Sequence, residues 1–225
     1  MTFSIVGRCS RTGMFGIAVS SSSPAVAARC AHARAGVGVV ATQNVTDPRL
    51  GPSGLDHLAR GSSAEQTIAA LRSEAGDTAQ YRQLACVDGA GRSCAFTGSN
   101  ALGINGHHLG ENAAAAGNLL SSAGLLQAMV ERFAEIADAH LAERLLAALE
   151  RAMELGGEAG SVRSAGLLVV DKVSWPLVDL RVDWDDAPIV RLRELWSVWQ
   201  PQMTDYVTRG LDPTAAPSYG VPGDP

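Results

Sequence analysis

The sequence predicts an α+β domain in which β-sheets pack on each other and helices lie outside them. Two observations lead to this fold class. Strand-like and helix-like segments come in groups along the chain, whereas a doubly wound parallel fold requires regular alternation. In addition, 46% of the 225 residues are hydrophobic, which is enough to fill the core of one domain.

The first half of the chain is predicted to contain strands, helices and a hairpin. The hairpin has a clear signal, because Asp88-Gly89-Ala90-Gly91 separates two short apolar runs and favours a turn. Alternating apolar residues mark the strands that begin the chain. Strands are predicted over 2–9, 14–23, 36–42, 82–87 and 92–97, and helices over 25–35, 54–60 and 64–74.

The second half is predicted to contain two long amphipathic helices between strands. Apolar residues recur at helical spacing over 121–136 and 140–155, and Gly156-Gly157 ends the second helix. Strands are predicted over 107–118, 164–171 and 177–184, and a last helix over 189–199. We expect the domain to cover 1–205. A poorly ordered tail over 206–225 is expected to follow, with four prolines between Asp212 and Pro225.

Composition and charge argue against several classes of partner. The net charge of −5, the scattered Lys and Arg residues and the aromatic content of 5% disfavour nucleic acid, which needs a basic face or a stacking platform. No run of 18 apolar residues is available to span a membrane. The first residues lack the basic and apolar regions of a signal peptide, so we expect a cytoplasmic protein.

Neither a metal nor an organic cofactor is predicted. The four cysteines lack Cys-x-x-Cys spacing and a neighbouring histidine, so free thiols are expected rather than a zinc site, although Cys86 and Cys94 flank a turn and could face each other. His107 and His108 would point to opposite faces of a strand and cannot bind one ion together. The sequence also lacks a P-loop, a dinucleotide fingerprint, a Gly-x-Ser-x-Gly elbow and a His-Glu-x-x-His motif.

Thr2 is the sharpest candidate for chemistry. It follows Met1 directly and is small enough for an aminopeptidase to remove that methionine. The free α-amine would have a pKa of about 8 and could activate the Thr2 hydroxyl as a nucleophile. The strand that follows would hold Thr2 rigidly. Many cytosolic proteins begin with Met-Thr or Met-Ser, so these two residues alone favour the interpretation without a catalytic role.

Three polar runs at predicted strand ends are further candidates. Ser20-Ser21-Ser22-Ser23 could bind a carboxylate or an oxyanion, or Ser23 could simply cap the next helix. Thr42-Gln43-Asn44 ends an apolar strand, where a site wall and an ordinary strand end are equally good interpretations. Gly117-Asn118 could donate to an oxyanion, or form a turn before the next helix.

These segments together resemble a bacterial and archaeal family, domain-of-unknown-function family 1028. The resemblance depends on the order and spacing of short motifs and extends from residue 1 to about 195. The matching positions are 1–6, 13–20, 36–43, 82–83, 96–98, 117–118, 156–157, 164–165 and 180–183. The resemblance implies a four-layer αββα sandwich like that of the N-terminal-nucleophile (Ntn) hydrolases. It also implies that Thr2 is the nucleophile and that Ser20, Thr42, Gln43, Asn118 and Ser164 line the site.

One segment departs from the family pattern. After the double glycine, members of the family usually have an Asp and then a basic, glycine-containing run that leads into Gln-Ser-Ala. This chain has Glu158-Ala159-Gly160-Ser161-Val162-Arg163 before Ser164-Ala165. Fewer basic groups are therefore expected near the site, and the substrate or the activity can differ from those of relatives.

Two functions remain open at this point. The first is an amidohydrolase that acts on a small amide or peptide-like bond, with backbone N–H groups near Asn118 or Thr42 stabilising the oxyanion. The second is a non-catalytic protein that keeps the Ntn-like fold and binds a small molecule or serves as a scaffold. We also expect a homodimer, because Leu195, Trp196, Val198 and Trp199 give the last helix more apolar surface than one core-facing stripe requires. Alternatively, these side chains simply cover the sandwich.

Overall fold

The computed structural model describes residues 1–220, which form two antiparallel sheets packed face to face with helices on both outer sides. The predicted α+β class and the αββα layer order are therefore confirmed. The strands are β1 (Thr2–Arg8), β2 (Phe15–Ser21), β3 (Ala31–Arg34), β4 (Gly38–Asn44), β5 (Arg82–Asp88), β6 (Ser93–Thr97), β7 (Gly106–Gly110), β8 (Ala113–Asn118), β9 (Ser164–Val170) and β10 (Val178–Val182).

The helices divide between the two sheets. They are α1 (Ala27–Cys30), α2 (Leu50–Ala59), α3 (Ala64–Ala75), α4 (Leu125–Glu135), α5 (Leu141–Glu154), α6 (Pro188–Trp199) and α7 (Met203–Leu211). Helices α4, α5 and α6 cover the sheet of order β10-β9-β2-β1-β8-β7. Helices α2 and α3 cover the sheet of order β3-β4-β5-β6. Each of the two sheets is thus buried on both faces along its central strands.

The alternation of side chains along β1 shows how the layers are built. Phe3 and Ile5 pack against the helices of the larger sheet, whereas Val6 packs between the two sheets. Successive residues of a strand point to opposite faces, so Thr2 and Ser4 share the inner face with Val6. This alternation directs the first residue of β1 toward the space between the sheets.

The predicted helix over 25–35 is wrong beyond its first turns. Only Ala27–Cys30 is helical, and β3 follows at once and pairs with β4. Alanine favours a helix locally, but pairing with β4 satisfies the backbone of this edge strand and α2 packs over it. The approach is close, since a Cβ placed on Gly51 of α2 would lie 2.1 Å from the His32 ring.

Two other boundaries also differ from the prediction. The single strand predicted over 107–118 is a hairpin of β7 and β8, with Asn112 at the turn in the left-handed region at a φ of 59°. The predicted tail over 206–225 begins inside α7, and a 3-10 turn follows at Pro213–Ala215. Residues 221–225 of that tail lie outside the described residues.

The apolar side chains of α6 divide between core and surface. Trp196 is buried in the core, and Trp199 packs against it and donates from Nε1 to the Leu177 carbonyl at 3.0 Å. Val198 stays 64% exposed. Both tryptophans therefore cover the sandwich, and the homodimer remains a prediction.

Candidate functional site

Six central strands place polar residues at one end of the sandwich. In the larger sheet, Thr2 at the start of β1 lies opposite Ser21 on β2 and Asn118 on β8, and Ser21 lies opposite Ser164 on β9. The same end of the smaller sheet holds the end of β4 and the start of β5, where Gln43 pairs with Gln83. We call this region the polar end.

Thr2 lies within a cluster of hydroxyl groups. Its side chain is buried, and its Oγ1 donates to the Met1 carbonyl oxygen at 2.5 Å and lies 3.2 Å from Ser21 Oγ. Ser21 Oγ donates to the same carbonyl oxygen at 2.5 Å and lies 2.8 Å from Ser23 Oγ. The hydroxyl of the candidate nucleophile and the hydroxyl of Ser21 therefore converge on the same carbonyl oxygen.

Glu158 contributes a buried carboxyl group to the polar end. It follows the glycines that end α5, and its segment is anchored to the chain after β8. The Ala159 N–H donates to the Leu119 carbonyl at 2.8 Å, and Glu158 itself forms an isolated bridge with Leu120. These backbone contacts hold the carboxyl group against the end of the sheet.

The environment of Glu158 favours its neutral form. Its Oε2 accepts from the Ser22 N–H at 3.1 Å, whereas Oε1 has no hydrogen-bond partner among residues 1–220. Burial raises the pKa of this carboxyl to about 7, although the N-terminal ammonium and the Ser22 N–H act in the opposite direction. A further hydrogen-bond donor or a cation would therefore find an available oxygen here.

A second polar layer links the two sheets below this cluster. Gln83 is its centre: Nε2 donates to the Gly117 carbonyl at 2.7 Å, and Oε1 accepts from Asn118 Nδ2 at 2.8 Å. Gln43 Nε2 also donates to Gln83 Oε1, at 3.3 Å, and Ser4 Oγ donates to Gln43 Oε1 at 2.6 Å. These bonds satisfy buried amide groups and fix the position of Asn118 beside Thr2.

The structure brings together most of the residues predicted to line the site. Thr2, Gln43 and Asn118 lie at the polar end on inner strand faces, as described above. Ser164 lies there too, where its Oγ donates to the Ser23 carbonyl at 2.6 Å and accepts from the Val26 N–H at 3.2 Å. Ser164 therefore holds the chain that follows β2.

Ser20 and Thr42 lie on the opposite faces of their strands. Ser20 Oγ donates to the Ser164 carbonyl at 3.0 Å on the side of the sheet that faces the helices. Thr42 shares the outer face of β4 with Val40, and its Oγ1 donates to the Asp47 carbonyl at 3.3 Å. The two-residue period of a strand separates both side chains from Thr2.

Sequence reasoning did not single out Ser21, Gln83 or Glu158 as individual site residues. Ser21 stood inside the serine run, and strand alternation relative to Thr2 would have identified it only with the pairing of β1 and β2 known. Gln83 stood inside a matching motif. Glu158 stood next to the double glycine, but its sequence context resembles that of an ordinary surface residue. Nothing in the sequence therefore predicted its burial.

Three further findings concern metal ligands, cysteines and membrane-spanning helices in the described residues. Within residues 1–220, no group of three or more His, Cys, Asp or Glu side chains is placed to hold a metal ion. All four cysteines are free, and Cys86 lies opposite Cys94 in the β5–β6 pair. In the same part of the chain, no helix has the length and hydrophobicity needed to cross a membrane.

Comparison with known proteins gives the family. A model described as "Family of unknown function (DUF1028)" matches residues 2–192. A crystal structure of a protein from Silicibacter pomeroyi, assigned to that family, is 33% identical, with 88% of each chain covered and a TM-score of 0.80. Anbu (ancestral beta-subunit) from Yersinia bercovieri is 12% identical, with 91% of this chain and 97% of that chain covered and a TM-score of 0.41, a similarity too low to bear on function. No curated protein matches the sequence. The chain belongs to the family of unknown function DUF1028.

Proposed function

We propose that this protein is an Ntn-type amidohydrolase that cleaves a small amide or peptide-like bond, with Thr2 as the nucleophile after removal of Met1. One observation carries the proposal. The Thr2 hydroxyl lies at the polar end, within hydrogen-bond distance of the Met1 carbonyl oxygen and of the Ser21 hydroxyl. A nucleophile beside a donor that already binds a carbonyl oxygen is the arrangement that acyl transfer requires.

The chemistry follows from removal of Met1. Thr2 Oγ1 attacks the carbonyl carbon of the amide, and the hydroxyl proton passes to the Thr2 α-amine. The tetrahedral intermediate collapses, the C–N bond breaks, and the leaving nitrogen takes that proton. The acyl group is then an ester on Oγ1, and a water molecule hydrolyses it to release a carboxylic acid and restore Thr2.

Ser21 is the side-chain donor for the oxyanion in this proposal. Its Oγ donates to the Met1 carbonyl oxygen at 2.5 Å, so the same hydroxyl is in reach of a substrate carbonyl oxygen that takes this place. Asn118 lies opposite Thr2 in the β1–β8 pair, and its Nδ2 donates to Gln83 Oε1, which fixes its side chain. Thr42 faces away from Thr2, so its side chain has no part in this mechanism.

The test begins with intact mass spectrometry of the purified protein, which detects the loss of one methionine. The processed chain is then exposed to a β-lactone and to a panel of small amides. We expect an adduct on Thr2, hydrolysis that Thr2→Ala abolishes, and partial activity in Thr2→Ser. Thr204→Ala, an exposed position on α7, is the matched control and should react like the wild type. Equal hydrolysis by processed wild type and Thr2→Ala would show that Thr2 is not the nucleophile.

A second candidate function has one observation in its favour. While Met1 is attached, the Thr2 nitrogen is an amide, and the residue is only 6% exposed. A protein that retains Met1 in the cell has no free Thr2 amine to serve as a base. Its polar end can then only bind a small molecule or form part of a scaffold. Detection of Met1 on protein isolated from cells would therefore favour a non-catalytic binding or scaffold protein.

A further inference from the structure

Met1 occupies the polar end in the way that a small aminoacyl group would. Its carbonyl oxygen accepts from the hydroxyls of Thr2 and Ser21, both at 2.5 Å. Its side chain lies against Gly160, where an added Cβ would come within 2.9 Å of the Met1 methyl carbon. Removal of Met1 therefore leaves a space bounded by two hydroxyls and by the segment that contains Gly160.

Glu158 places a buried carboxyl group beside this space, and a cationic ligand would favour its ionised form. The residue is 4% exposed, and the one oxygen that has a partner within residues 1–220, Oε2, accepts from the Ser22 N–H at 3.1 Å. The Met1 ammonium is near enough to lower the pKa of this carboxyl. Arg163, a cation on the same segment, is engaged in an ion pair with Asp186. The Glu158 carboxyl group thus lies within electrostatic range of the place that the Met1 ammonium occupies.

We infer that Glu158 recognises a protonated amine on the carbon next to the scissile carbonyl, so that the substrates are amides of α-amino acids with a free amino group. This inference rests on the proposed function for the cleavage step. The substrate acyl group would take the place of Met1, with its carbonyl oxygen at Ser21 and its ammonium toward Glu158. Hydrolysis consumes one water and releases a free amino acid and an amine.

The physical basis for selection is the cost of a buried charge. A carboxylate that lacks a cationic partner in a buried site is strongly disfavoured, whereas a paired and hydrogen-bonded one is tolerated. A substrate ammonium would provide that partner, and an acetylated amine would carry no charge and add bulk. The polar end should therefore discriminate between two ligands that differ only in acetylation of the α-amine.

The binding experiment uses processed Thr2→Ala, which cannot turn substrate over. Calorimetry compares L-methioninamide with N-acetyl-L-methioninamide and with the analogue that lacks the α-amine. We expect the free amine to bind about 30-fold more tightly, and Glu158→Gln to reduce that ratio to about threefold or less. Glu154→Gln is the matched control, because Glu154 is an exposed carboxylate paired with Arg151 on α5. It should keep the full ratio.

The outcomes separate the inference from the proposed function. Equal binding of the three ligands, or a ratio that Glu158→Gln leaves unchanged, overturns the inference whether or not amides are cleaved. Preference for the free amine that depends on Glu158 supports it, even where no amide is hydrolysed and the proposed function fails. The comparison of the three ligands on the Thr2→Ala background is decisive without any change at Glu158, because equal affinities there overturn the inference.

Discussion

The two ends of the space between the sheets differ in chemistry although the same strands run through both. At the end away from Thr2, the inner faces carry buried apolar side chains, among them Val6, Phe15, Ile17, Val39 and Val87. At the polar end the inner faces carry hydroxyls, amides and a nearby carboxylate. Apolar burial stabilises the sandwich at the first end, while hydrogen bonds only offset the cost of burial at the second. This difference is the one that the proposed function predicts for a site at the polar end.

The largest effect on stability is expected from the apolar end. Ile17→Ala removes a fully buried side chain between the sheets and leaves a cavity, so the free energy of unfolding should fall by about 4 kcal/mol. Urea unfolding followed by circular dichroism measures this change. Val190→Ala, at a position that is 61% exposed on α6, is the control and should change stability by less than about 0.5 kcal/mol. A loss below about 1 kcal/mol for Ile17→Ala would remove the stability contrast between the two ends.

A smaller loss is expected from the polar layer that joins the sheets. Gln83→Ala leaves the Asn118 amide and the Gly117 carbonyl without the bonds they make to Gln83. Because buried polar groups without partners are costly, the free energy of unfolding should fall by about 2–3 kcal/mol. Gln66→Ala is a control of the same chemistry, since Gln66 makes its bonds in an exposed capping box of α3. It should cost about 1 kcal/mol. Equal losses would show that the inter-sheet amides act as ordinary surface groups.

Glu158→Gln is expected to raise the free energy of unfolding, whereas the two preceding substitutions lower it. Burial raises the pKa of this carboxyl from 4.5 to about 7, so between these values the folded chain holds a proton that the unfolded chain has released. The free energy of unfolding of the wild type therefore falls as the pH rises through this window. Above this window the neutral glutamine should stabilise the protein by about 2 kcal/mol.

The stabilisation by Glu158→Gln should disappear at low pH. Below the unfolded-state pKa of 4.5, Glu158 is protonated in both states and no penalty remains for the glutamine to relieve. Thermal or urea unfolding of both proteins at several pH values between about 4 and 8 tests this pattern. A constant difference between the two proteins over that range would contradict the pH dependence.

The smallest effect on stability is expected at Thr2. Thr2→Ala removes one hydroxyl at the first residue of β1 and leaves the strand backbone paired with β2 and β8. The free energy of unfolding should change by less than about 1 kcal/mol, while any amidase activity is lost. Unfolding curves and amide hydrolysis measured on the same preparation test both parts. A loss above about 2 kcal/mol would mean that Thr2 serves the fold rather than a reaction.

The site could be predicted in part from the sequence. Thr2, Gln43, Asn118 and Ser164 are at the polar end because each lies at or next to the end of a strand. Ser20 and Thr42 belong to the same strand ends but face outward, since which face of a strand looks toward the other sheet depends on its partners. Glu158 was harder to predict, because its burial depends on residues that are distant from it in the chain.

The sequence by itself determined the elements whose local pattern is strong. Helices α4 and α5 follow the spacing of their apolar residues, and β1, β2 and β9 follow their apolar runs. Only the tertiary structure decided that residues 31–34 are a strand, because this segment has no strong strand signal of its own and gains its hydrogen bonds from β4. It also decided that Glu158 is buried, since the chain after Gly157 passes over the end of β8 and covers a side chain that would otherwise lie in water.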